Sequence, residues 1–135
     1  MSGPAQPHPA KYLRREMDDT AREFYRRLEV GTFSTTRCER CQRTSFPPRP
    51  RCPVCREAEH WVELPTRGRL FAFTTQETAL RFRAPVVLAL AEIGDALVPG
   101  IVERPYEELR IGAEVEVAMR REPETGLTLL AFDPA

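Results

Sequence analysis

The chain has 135 residues with 20 basic and 20 acidic side chains. That length bounds it to one compact unit plus an accessory module, and formal neutrality excludes a long-range field that would gather a polyanion. No run of about 18 apolar residues occurs, and the opening stretch MSGPAQPHPA lacks the basic flank and apolar core of a secretory signal, so a soluble, cytoplasmic protein is expected.

Residues 1–10 carry three prolines and no helical pattern, which reads as a tail. The stretch TAREFYRRLEVG then sets Ala21, Phe24, Tyr25 and Leu28 at helical spacing, with Thr20 and Glu23 arranged as a capping box and Gly31 as the stop. An amphipathic helix of this kind packs on its own protein or docks on a partner. Phe24, Tyr25 and Leu28 are therefore the candidate partner-facing residues.

All four cysteines lie in CERCQRTSFPPRPRCPVC, as Cys38-x-x-Cys41 and Cys52-x-x-Cys55 separated by ten residues. Each pair can present two thiolates from a tight knuckle, and two facing knuckles close a tetrahedral four-cysteine site. In a reducing compartment such pairs hold metal rather than form disulfides. A redox site would instead use one Cys-x-x-Cys in a βαβ setting, which is missing here. Zn²⁺ is the expected ion, one per chain and structural, because four protein ligands leave no open position; a rubredoxin-like iron site shares the ligand count. The segment from Thr32 to Trp61 has few apolar residues, so binding of the ion has to supply folding energy that burial cannot. His60 reads as a surface or hinge side chain.

Past Trp61 the texture changes to short β-rich runs with turns between them: RGRLFAFTTQET, PVVLALAEI, LVPGIVE, AEVEVAMRR and LTLLAF. PVVLALAEI is apolar on both faces, as in a strand buried on both sides. Gly94-Asp95 reads as a hairpin turn, and Pro99-Gly100 as a bulge or edge position. RPYEEL supplies a short helix between the third and fourth strands. Three strands, a helix and two strands is the element order of an OB-fold, which an SH3-like barrel or an incomplete sandwich approaches without the helix. The expected fold is mainly β: a tail and N-terminal α-helix over 1–31, a rubredoxin-like four-cysteine zinc ribbon over 32–62, and a C-terminal five-stranded OB-fold barrel over 63–135.

The helix ending in Gly31, the paired cysteines around FPPR, the junction WVELPTRGRLFAFT and the segment IGAEVEV together resemble the zinc-ribbon-plus-OB-fold proteins associated with acyl-CoA metabolism. The resemblance runs from about Thr20 to Phe132. Such proteins commonly carry Gly directly after the second Cys of a knuckle, where this chain has Gln42 and Arg56. The resemblance implies an accessory subunit that accompanies thiolases, condensing enzymes or steroid side-chain hydratases and aldolases, bridging subunits or helping to hold a CoA thioester.

No catalytic constellation is apparent in the sequence, since its two histidines fall in the tail and beside the ribbon and its serines lie in no nucleophile motif. A binding surface is the alternative. The loop ETALRFRAP joins the first two barrel strands, where OB-folds meet ligands. Its Arg81, Phe82 and Arg83 would offer two cations to phosphate and one ring to a base or an acyl arm; otherwise Phe82 is core and the arginines snorkel. Arg49 and Arg51 are further phosphate contacts. CoA satisfies that mixture, and so does single-stranded nucleic acid. Residues 1–56 carry twelve Lys or Arg against six Asp or Glu, whereas residues 57–135 carry eight against fourteen. The acidic barrel half weighs against nucleic acid, leaving a non-catalytic partner of a thiolase-like or other acyl-CoA enzyme as the primary reading.

Overall fold

The computed structural model describes residues 18–76, 86–121, 123, 126 and 128–135, without the side chains of Gln76 and Val86. The proline-rich tail and the Arg81-Phe82-Arg83 loop lie outside the described residues.

Helix α1 spans Asp19–Glu29. Its cap is Asp18, whose carboxylate accepts from the Ala21 N–H at 2.8 Å, so the expected Thr20–Glu23 capping box does not form. Glu23 instead faces along the helix and accepts from Arg26 and Arg27 at 2.6–2.9 Å. The two guanidiniums hold its carboxyl down at about 2. Gly31, at φ 86, ends the helix as expected, and its N–H donates to the Leu28 carbonyl. The apolar stripe turns inward, with Phe24 and Leu28 buried.

Strands β1 (Ser34–Cys38), β2 (Arg43–Ser45) and β3 (His60–Glu63) form a small antiparallel sheet in the order β2-β1-β3. β4 (Arg67–Gln76), β5 (Val86–Ile93), β6 (Ala96–Val102), β7 (Glu114–Arg121) and β8 (Thr128–Pro134) close a barrel in the order β4-β5-β6-β8-β7. A three-residue 3₁₀ turn, Tyr106–Glu108, stands between β6 and β7. This is the OB-fold order. Val115, Val117 and Leu130 alternate inward along β7 and β8 around Phe132, which is 1% exposed.

Two glycines shape the barrel. A Cβ at Gly68 would overlap the Glu92 carbonyl oxygen and the Ile93 side chain, and one at Gly100 would lie 2.7 Å from the Phe132 ring. Gly100 does not mark a bulge: β6 pairs with β5 in unbroken register from Ala96 to Val102. The irregularity falls in β4, between Leu70 and Ala72. Gly100 serves instead to bring β6 close to β8, with which β6 makes one parallel pairing, Ile101 with Ala131. Gly94, at φ 61, makes the β5–β6 turn expected of Gly94-Asp95.

Helix, ribbon and barrel share one core, in which Phe24, Leu28, Phe33 and Leu64 join the barrel interior. Phe46, from the FPPR stretch, packs on it, edge-on to Phe24 at 5.6 Å. A polar latch adds to this: Arg37 on β1 donates to Thr44 at 2.8 Å and to Asp95 of the β5–β6 turn at 3.3 Å.

Candidate metal centre and surrounding groove

The metal centre grows out of two tight turns. β1 ends at Cys38, and the turn back to β2 carries Cys41. Cys52 and Cys55 sit in a second loop closed by the pairing of Arg51 with Ala58 and by the bond from the Cys52 N–H to the Glu57 carbonyl, 2.9 Å. The four Sγ atoms lie within 4.8 Å of one another, and Cys38 Sγ is 3.5 Å from Cys55 Sγ. A tetrahedron with Zn–S bonds of about 2.3 Å has edges of about 3.8 Å, so the arrangement fits one such ion with little adjustment.

The backbone is arranged for thiolates. The Cys41 N–H donates to Cys38 Sγ and the Val54 N–H to Cys52 Sγ, both at 3.4 Å. N–H groups from Cys55 and Val54 bring the Cys52 thiol down to about 7. Hydrogen bonding to Cys55, then burial, pushes Cys41 up to about 12. At Cys38 the Cys41 amide pulls downward, but burial and the neighbouring thiols outweigh it and leave the thiol raised. Without an ion, four thiolates at this spacing repel, and protons take the cation's place. Cys38 and Cys52 are buried while Cys41 and Cys55 are partly open. The site therefore positions one ion at the edge of the ribbon, with four sulfur ligands and no fifth protein donor needed.

Gln42 and Arg56 follow the two knuckles at φ 57 and 66, the left-handed conformation that glycine adopts without strain. Gln42 offsets its strain through side-chain bonds, donating to the Glu39 carbonyl and accepting from Arg37. Arg51 donates to the Arg56 carbonyl at 3.1 Å and so fastens the second loop, while Arg49 is exposed with its N–H on Thr36. His60 is exposed on β3. Arg81, Phe82 and Arg83 are not among the described residues.

The three helix residues share one place. Phe24, Tyr25 and Leu28, with Phe46, form one wall of a groove of about 330 Å³ whose other wall includes Leu88 and Ile101 of the barrel. Among the described residues its lining carries no charged side chain. Phe24 and Leu28 are buried and Tyr25 is half-buried, so the three do not stand out as a protruding helix face. Sequence reasoning also missed the seat of Trp61, the only tryptophan. Its ring lies under the Arg27 guanidinium at 4.5 Å, joining helix to ribbon. The only sequence signal was the Arg27–Trp61 pairing of residue types, which spacing cannot reveal.

Comparison with known proteins agrees with this geometry. The family model for the rubredoxin-like zinc ribbon domain of ChsH2 matches residues 27–60, and that for the ChsH2 C-terminal OB-fold domain matches residues 61–120. A DUF35 domain-containing scaffold protein of Methanocaldococcus jannaschii is 31% identical over 97 residues, covering 67% of this chain and 69% of that protein. One from Methanothermobacter thermautotrophicus is 29% identical over 117 residues, covering 82% of this chain and 88% of the relative. The solved Ltp2-ChsH2(DUF35) aldolase contains a chain that superposes with a TM-score of 0.75 at 22% identity, over 88% of this chain and 97% of that one. The chain belongs to the DUF35 family, as a rubredoxin-like zinc ribbon joined to an OB-fold.

Proposed function

We propose that this protein is a non-catalytic scaffold subunit that docks a thiolase-like or related acyl-CoA enzyme and contacts the CoA portion of its substrate. The observation that carries the reading is the uncharged groove between α1 and the barrel, found in a chain whose relatives are named scaffold proteins. An apolar recess suits a binding hot spot, where one inserted side chain contributes most of the affinity. Phe24, Tyr25 and Leu28 would receive that side chain. The similarity to a chain of the Ltp2-ChsH2(DUF35) aldolase supports an enzyme as the partner.

Zn²⁺ on Cys38, Cys41, Cys52 and Cys55 would supply structure, holding two loops that have almost no apolar content of their own. Phosphate recognition falls to Arg81 and Arg83, with Phe82 stacking on the base or packing on the acyl arm, and to Arg49 and Arg51 on the ribbon. Proton transfer and bond-making belong to the partner in this scheme.

Affinity purification of the tagged chain from its native host, with mass-spectrometric identification, should recover a thiolase-, condensing- or aldolase-class enzyme in stoichiometric amount. Tyr25→Asp should abolish that recovery, and reversing both charges at Arg81 and Arg83 should weaken CoA binding by the complex. Thioester turnover by the isolated polypeptide would refute the reading. So would Tyr25→Asp material that retains the enzyme.

A further inference from the structure

Cross-strand pairing assigns the outer face of the barrel residue by residue. Thr74, Leu88 and Ile101 lie side by side across β4, β5 and β6, as do Ala72, Leu90 and Pro99, and Glu92 pairs with Leu97. The alternate positions Ala89, Ala91, Val98 and Val102 are buried inside. A solvent-facing barrel wall is normally polar at such outward positions, yet most of these are apolar. Helix α1 shelters the end near Leu88, Pro99 and Ile101. Beyond it Leu97 is 44% exposed and Phe71, the extra residue of the β4 irregularity, 48%.

We propose that two copies of this chain pack through the outer faces of β4, β5 and β6 as a two-fold dimer. A two-fold interface must be its own complement, because the same patch meets itself, and this face meets that condition in shape and in charge. Aliphatic sheet faces pack on one another at about 10 Å with interdigitating side chains; here the exposed Phe71 and Leu97 stand beside the small, half-buried Ala72. At its end Arg69 and Glu92, both exposed, are direct cross-strand partners. Across a two-fold axis Arg69 of one copy faces Glu92 of the other, and the reverse, giving two compensating contacts. The formal net charge of zero removes the overall repulsion that keeps strongly charged chains apart. A heterologous enzyme would need no such internal charge pairing. The dimer would carry its two ribbons and two helix-lined grooves as a bivalent scaffold, so that an enzyme with two binding sites gains avidity without new contacts.

The test is sedimentation velocity on the zinc-loaded full chain, with no enzyme present, across a wide range of concentration. Wild type should show a reversible monomer–dimer equilibrium. Leu97→Glu should weaken it at least about ten-fold, while zinc content and circular dichroism stay as in wild type. Arg69→Glu and Glu92→Arg should each weaken the dimer, and mixing the two single variants should restore it, because opposite charges then meet only across the axis while the cross-strand pair within each chain stays like-charged. Val30→Glu, on a more exposed apolar residue just past α1, should leave the dimer unchanged. A wild type that stays monomeric throughout would overturn the proposal, as would failure of the mixed variants to associate or disruption by Val30→Glu. Because the measurement contains one protein, its failure leaves the enzyme-docking reading standing.

Discussion

At the scale of single residues, two backbone positions carry opposite tests. Gly68 has no room for a side chain, since its Cβ would strike the backbone carbonyl of Glu92, which cannot rotate away. Gly68→Ala should therefore cost about 3 kcal/mol, the upper end for overpacking, and more than Gly100→Ala, where the obstacle is the Phe132 ring. Urea denaturation of both variants checks the order. Arg56 presents the reverse case, an L-residue at φ 66 that contributes to the ribbon through its backbone, its N–H donating to the Cys52 carbonyl and its carbonyl accepting from Arg51. Arg56→Gly removes about 1 kcal/mol of left-handed strain and adds roughly half of that back as unfolded-chain entropy. The variant should hold its zinc against a chelator about twice as well; weaker retention would contradict the strain argument. The position was legible in sequence as an expected glycine replaced by Arg56. The helix cap was not: Asp18, Asp19 and Thr20 are all good capping types, and only the conformation shows that Asp18 reaches the Ala21 N–H.

At the scale of elements, the ribbon and the barrel differ in what holds them. The barrel strands were readable because alternation and the Gly94-Asp95 turn are local signals, and the four ligands because Cys-x-x-Cys knuckles are set by spacing. The groove was not readable, since it depends on how α1, β5, β6 and β8 meet across the chain. The same long-range packing sets the stability of the parts. Between Cys38 and Ala58 the only member of the shared core is Phe46, which is half-buried, so those loops depend on the ion. Strong chelation should loosen them while the barrel, with its own core of Ile93, Val98 and Phe132, keeps its fold. Trp61 makes this visible, because its ring is half-buried on β3 beneath Arg27. Its emission should shift to the red on chelation with the far-ultraviolet β signal largely retained, and recover when Zn²⁺ is returned. Loss of both signals together would mean that the ion holds the whole molecule.

For the molecule as a whole, the question is how the ribbon is kept in place on the barrel. The apolar part of the junction, Phe33 and Leu64 with the helix residues, is insensitive to pH. The latch of Arg37, Thr44 and Asp95 is not. Hydrogen bonding from Thr44, then from Asp95's own backbone N–H, then the charge of Arg37, holds the Asp95 carboxyl below its usual range against the opposing effect of burial. A carboxyl whose folded-state pKa is lowered binds protons more weakly in the native state than in the unfolded one. Its contribution is thus complete above the ordinary carboxylate range and disappears as pH falls through the lowered value. With Asp95 54% and Arg37 30% exposed, solvent screening limits the pair to about 0.5 kcal/mol. Asp95→Asn should accordingly destabilise the zinc-loaded protein by that small amount at neutral pH, and the wild-type and variant denaturation curves should converge in acid. High salt should narrow the neutral gap in the same way, because the latch is partly open to solvent. A gap that persisted unchanged in acid would show that Asp95 acts through the shape of the β5–β6 turn and not through its charge.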